Sequence, residues 1–252
     1  MIELDAIHVT FNPGTPLASP ALRGVDLRIP AGQFVTVIGS NGAGKSTLLN
    51  ILSGGLLPQT GRVKIDNTVV TRWGVAQRSH LVSRVFQNPL LGSCADLTVE
   101  ENLALAQGRG QGRGLKLALN AQLRQHFRDR LAPLNLGLEH RLGDRMGLLS
   151  GGQRQAICLL MATLAEHKIL LLDEHTAALD PKTAQFVLEL TRQLVEEQQL
   201  TTLMVTHSLR QALEVGDRTL MLHQGQIAAD LSGAERTGLT AADLLARFEA
   251  WD

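Results

Sequence analysis

Apolar residues in this chain fall into two rhythms. Ile2 to Val9 alternates at roughly period two, and Val25 to Ile29 does so again, the pattern of strands with one buried face. Between them Asn12 to Pro20 carries three prolines and a glycine and reads as a turn. Phe34-Val35-Thr36-Val37-Ile38 is a compact β-branched run that suits a buried parallel strand. It leads through Gly39 and a glycine-rich turn into a helical pattern from Lys45 to about Leu52. From about 97 to 165 the chain reads as mainly helical, opened by Thr98 and Glu101 at capping-box spacing. Strand and helix then alternate: strand 168–172, helix 182–197, strand 201–205 and helix 209–215. Strands 219–222 and 227–231 flank Gly225, and 241–251 reads as a short amphipathic helix. The expected fold is α/β: a mainly parallel sheet, an antiparallel β part at the N-terminus and an inserted helical subdomain. One domain is expected over 1–252, with the core at about 1–88 and 165–231, the insertion at about 90–164 and the last helix at about 240–252.

Composition narrows the function. The 252 residues are 44% hydrophobic and 19% charged, enough apolar material for a sizeable core. Lys+Arg and Asp+Glu are 24 each, so the net charge is zero and binding driven by nucleic-acid phosphates loses its usual basis. With no Tyr, 6 Phe and 2 Trp, platforms for stacking single-stranded bases are few. No apolar run approaches the roughly 18–20 residues that span a bilayer, and the start has no signal-peptide pattern. A role at a membrane would therefore need another chain to do the crossing. Cys94 and Cys158 are far apart with no CxxC, and read as small hydrophobes in a reducing compartment. Gly108 to Gly114 reads as a flexible loop between helices rather than an RNA-binding RGG tract.

Two motifs carry chemistry. Gly39-Ser40-Asn41-Gly42-Ala43-Gly44-Lys45-Ser46 matches G-x-x-x-x-G-K-[ST] between a strand and a helix. Glycines let successive N–H groups turn inward onto phosphate oxygens, and the helix adds its N-terminal dipole. Lys45 is placed for the β- and γ-phosphates, Ser46 for Mg²⁺, and Thr47 for the same cradle. The second motif is Ile169-Leu170-Leu171-Leu172-Asp173-Glu174, an apolar strand that delivers two carboxylates to the end where α/β sheets bind ligands. Asp173 is placed to hold Mg²⁺, and Glu174 to polarise an attacking water as general base.

Leu149-Ser150-Gly151-Gly152-Gln153 matches the LSGGQ signature of the ATP-binding cassette (ABC) ATPases and precedes Asp173, as in that family. The chain resembles that family over about residues 2 to 231, which implies a P-loop NTPase (RecA-like) core. By this resemblance Gln87 is the Q-loop glutamine that touches Mg²⁺ and the water. Asp180, in Ala178-Leu179-Asp180, belongs to the D-loop, and His207 is the switch histidine at the γ-phosphate. The resemblance also implies head-to-tail pairing of two copies, each ATP held by one phosphate loop and by the partner's signature residues. Phe11, with His8 behind it, is the candidate for stacking on adenine, where the family usually has Tyr. His175 departs from the Pro that commonly follows the catalytic Glu.

The implied function is the ATP-binding and ATP-hydrolysing subunit of a membrane transporter, bound to the cytoplasmic face of the inner membrane. Solute uptake is expected, with a separate integral membrane permease and an extracytoplasmic solute-binding protein. The stretch Asp173 to Pro181 looks like one group of uptake cassettes, for which an organic solute such as an aromatic amino acid is expected. A soluble ABC ATPase driving a cytoplasmic assembly, such as iron–sulfur cluster biogenesis, is the alternative. A DNA-repair or translation cassette fits poorly, because it would carry a long coiled coil or a second signature.

Overall fold

The structure is a computed structural model, which describes residues 1–110 and 118–251. Its strands are β1 (Ile2–Phe11), β2 (Ser19–Ile29), β3 (Phe34–Gly39), β4 (Thr60–Ile65), β5 (Thr68–Val69), β6 (Val82–Val85), β7 (Ile169–Asp173), β8 (Thr201–Val205), β9 (Arg218–His223) and β10 (Gln226–Ser232). Its helices are α1 (Lys45–Ser53), α2 (Val75–Arg78), α3 (Val99–Gln107), α4 (Ala121–Leu131), α5 (Gly151–Thr163), α6 (Pro181–Gln198), α7 (Leu209–Glu214) and α8 (Ala241–Glu249).

A six-stranded sheet runs in the order β10-β9-β3-β8-β7-β6. Every pair in it is parallel except β10 with β9. The N-terminal strands form a separate antiparallel sheet, β2-β1-β4-β5. Both parts of the expected sheet architecture are present.

Alternation along the central strands explains why these runs are apolar throughout. Leu170, Leu172 and Met204 face one core cluster, built with α3, α4, α5 and α6. Ile169, Leu171, Leu203 and Val205 face the other, shared with α1 and the antiparallel sheet. Strands covered on both faces lose the polar half of the period-two pattern. α8 closes a third cluster, where Leu244 packs with Ile38, Ala212, Met221 and Leu231.

Local chemistry sets the helix starts. Thr98 and Glu101 form the capping box of α3, and Ser150 and Gln153 form one for α5. The end of α1 is closed by Arg78, which is fully buried and donates to the carbonyls of Ile51, Leu52 and Val70. Burial lowers the Arg78 guanidinium to about 10, so it stays charged against the carbonyl end of the helix.

Some readings need correction. β1 reaches Phe11 and β2 starts at Ser19, so Pro20 is a strand residue opposite Thr10 rather than part of the turn. Cys158 is buried as a small hydrophobe, but Cys94 is exposed. Of the Gly108–Gly114 loop, residues 111–114 lie outside the described residues. No helix among the described residues is long and apolar enough to cross a membrane.

Candidate nucleotide site

β3 ends at Gly39, and the loop that follows turns through left-handed backbone before α1 begins. Gly44 caps the helix at φ +104°, where a Cβ would stand 2.5 Å from the Ala21 carbonyl oxygen. Only glycine satisfies both demands. The loop opens on a cavity of about 340 Å³ lined by Asn41, Gly42, Gly44, Lys45, Ser46 and Thr47, with Phe11, Glu174 and His207 opposite. Gly39, Ser40 and Ala43 are the remaining loop residues, and Ala43 is buried beneath it.

Lys45 is 5% exposed. Its Nζ donates to the carbonyls of Gly39 (2.8 Å) and Ser40 (2.9 Å). Burial draws the ammonium below its ordinary range, partly offset by the carboxylates of Glu174 and Asp173. The cavity thus holds a positive charge within a curl of backbone N–H groups, which favours a polyphosphate.

β7 and β8 bring the acidic and imidazole groups together. Asp173 lies opposite Val205 in register, so Glu174 and His207 extend beyond neighbouring strand ends. The Glu174 N–H donates to the Val205 carbonyl (3.0 Å), and His207 Nε2 lies 2.6 Å from Glu174 Oε1. Glu174 sits at φ +47°, a conformation that costs a side-chain-bearing residue roughly 1–2 kcal/mol. Strain at the residue assigned to general-base work matches the tendency of functional sites to hold it.

Asp173 is engaged from the side. Arg84 Nη2 lies 2.6 Å from Asp173 Oδ2, and Arg84 Nη1 donates to Asn50 Oδ1 at 2.6 Å. The pattern of motifs gives no sign of Arg84, which stands in the mixed stretch Val82-Ser83-Arg84-Val85.

Phe11 stands 44% exposed at the rim of the cavity, available to a flat ring. For Mg²⁺ the donors at hand are the Ser46 hydroxyl and the Asp173 carboxylate. Hard oxygens in that small number fit a cation that keeps its waters and takes the rest of its shell from phosphate.

Three predicted elements stand away from this cavity. Gln87 is exposed and lines a second cavity of about 200 Å³ with Gly151, Arg154, Gln155 and His175. Ser150 and Gln153 are occupied in capping α5, with Ser150 Oγ accepting from the Gln153 N–H at 3.2 Å. Gly152 abuts α6, where a Cβ would fall 2.2 Å from Thr183 Cγ2. Asp180 caps α6 by accepting from the Thr183 N–H, and hydrogen bonding from the Thr183 side chain and then its backbone lowers the carboxyl below the usual range. His175 is 2% exposed, and burial pushes its imidazole down to about 4. Its Nε2 meets Thr191 Oγ1 at 2.9 Å while that hydroxyl donates to the Val187 carbonyl, so the neutral ring carries its proton on Nε2.

Comparison with known proteins identifies the family. Residues 22–177 match the family described as ABC transporter. A protein named tyrosine transport ATP-binding protein, from Clostridioides difficile (strain R20291), is 44% identical over 251 residues, covering 99% of each chain. The thiamine import ATP-binding protein ThiQ of Yersinia pestis is 41% identical over 206 residues, 81% of this chain and 82% of that one. Among solved structures, the dimeric bacterial ABC transporter cassette MJ0796 superimposes with a TM-score of 0.79 at 30% identity, covering 92% of this chain and 98% of that one. The ADP conformation of the cassette MJ1267 gives 0.81 at 26% identity over 100% of this chain and 99% of that one. The phosphate loop, the strand-end carboxylates, the signature helix and these matches converge: the chain belongs to the ABC transporter family as an ATP-binding, ATP-hydrolysing cassette.

Proposed function

We propose that this cassette powers uptake of a small organic solute through a separate membrane permease, to which it binds at the cytoplasmic face of the inner membrane. The relatives named for tyrosine transport and thiamine import support uptake. The tyrosine transport relative aligns end to end with this chain, which favours an aromatic amino acid as solute. An extracytoplasmic solute-binding protein completes the uptake system.

The observation that carries the mechanism is that Ser150 lies outside the cavity holding Lys45, Glu174 and His207. One chain supplies two half-sites, and two copies arranged head-to-tail complete both. In that dimer the phosphate loop of one copy and Ser150, Gly151, Gly152 and Gln153 of the other enclose each ATP. Phe11 stacks on adenine, Lys45 holds the β- and γ-phosphates, and Asp180 lies beside the shared interface. Glu174 takes a proton from the attacking water as its oxygen bonds to the γ-phosphorus and ADP departs. His207 steadies Glu174 and the γ-phosphate, and Gln87 reaches the site when the Q-loop approaches. Ser46, Asp173 and Gln87 would hold Mg²⁺, which when bound neutralises charge developing on the β- and γ-phosphate oxygens.

Affinity purification of the tagged protein from detergent-solubilised membranes tests the transporter assignment. A polytopic membrane protein recovered in stoichiometric amount supports it. Recovery only from the soluble fraction, with cytoplasmic partners, contradicts it.

A further inference from the structure

The Asp173 carboxylate is already neutralised by a residue that no motif of the family marks. Arg84 sits on β6 opposite Leu171, which makes Asp173 its diagonal neighbour on the same face of the sheet. The two side chains are 15% and 17% exposed and 2.6 Å apart, so their attraction is only partly screened by water.

Arg84 also does more than pair with one carboxylate. Its second nitrogen grips Asn50, on α1 just beyond the phosphate loop. Its guanidinium lies 4.7 Å from the ring centre of Phe86, the residue before Gln87. Among the described residues no protein atom accepts from its buried Nε–H, so the contacts to Asp173 and Asn50 are what offset the desolvation of the guanidinium. One cation therefore touches the phosphate-loop helix, the strand-end aspartate and the approach to Gln87.

We propose that Arg84 is the resident counter-ion of Asp173 and sets how tightly the site takes a divalent cation. Arg84 engages Oδ2 and leaves the other carboxylate oxygen for the metal or its water. An incoming Mg²⁺ meets a neutralised aspartate with a fixed positive charge behind it, and so binds more weakly than to a bare carboxylate. Because the same guanidinium rests on Phe86, movement of the segment leading to Gln87 shifts Arg84 and with it the affinity for metal. This inference rests on the assignment of Asp173 to Mg²⁺ made above.

Calorimetric titration of Mg²⁺ into the full chain loaded with one equivalent of ADP tests it. Arg84→Met should bind Mg²⁺ roughly tenfold more tightly than the wild type, since a like charge near the metal is gone. Its melting temperature without metal should fall, and Mg²⁺ should restore more of it than in the wild type. Arg84→Gln, which keeps a hydrogen bond to Asp173 without the charge, should shift Mg²⁺ affinity the same way and serves if Arg84→Met does not fold. Arg84→Lys should stay near the wild type. Unchanged or weaker Mg²⁺ binding in the neutral variants, alongside loss of binding in Asp173→Asn, overturns the counter-ion role and leaves the metal assignment standing. Mg²⁺ binding that survives Asp173→Asn overturns both.

Discussion

The Nε2 atom of His207 lies 2.6 Å from Oε1 of Glu174, joining two residues that leave adjacent strand ends. In the proposed mechanism this contact positions the side chain that faces the attacking water. Glu174→Gln should lower ATP hydrolysis by about 10²–10⁴-fold, the usual worth of a positioned base. His207→Ala should lower kcat while leaving ATP affinity within a few-fold, because it acts on the γ-phosphate end alone. Steady-state hydrolysis and nucleotide titration of both variants check the split.

Phe11 is 44% exposed at the mouth of the phosphate-loop cavity and fills no core cluster among the described residues. Phe11→Ala should weaken ATP binding by roughly 5–150-fold, the equivalent of about 1–3 kcal/mol of stacking. Phe11→Trp should keep it. Fluorescent-nucleotide titration distinguishes stacking from simple packing, since loss of packing would lower thermal stability and leave affinity intact.

Gly152 has a packing duty of its own: a Cβ there would stand 2.2 Å from Thr183 Cγ2. Gly152→Ala should cost about 1–3 kcal/mol through overpacking and lower the melting temperature by several degrees. Thr183→Ser removes the obstructing methyl and should recover that stability in the double variant. Calorimetry on the single and double variants checks this.

His175 makes stability depend on pH. Burial holds its imidazole at about 4 in the folded chain, against about 6.5 when unfolded. The unfolded state therefore binds the extra proton between those values. The contribution of His175 is fully present above pH about 6.5 and is lost as pH falls toward 4, by on the order of 3 kcal/mol. His175→Gln, which can still donate to Thr191, should flatten the stability profile across that window. Denaturant unfolding of both proteins between pH 4 and 7 measures the difference.

The nucleotide half of the molecule was legible because its signals are local. A phosphate loop needs its glycines and lysine in one stretch, and a strand buried on both faces is apolar throughout, as Ile169 to Leu172 is. β4, β5 and β6 leave little mark in the sequence for the opposite reason: β5 and β6 are only 2 and 4 residues long, and in β4 Thr60, Gly61 and Arg62 all face solvent, which breaks the alternation. Contacts between remote positions were equally hidden. Arg84 meets Asp173 across 89 positions, and neither residue type nor spacing announces it. His175 reads as a departure in the loop after Glu174, whereas its partner Thr191 lies almost three turns into α6. The signature was plain as a motif, but its distance from Lys45 is a property of the folded chain.

That distance makes the shared site the central claim, and one measurement meets it directly. Light scattering of Glu174→Gln with Mg²⁺ and ATP should report twice the 27.3 kDa monomer mass, and the monomer again when ATP is replaced by ADP. A monomer that binds ATP yet never pairs would contradict the two-copy site.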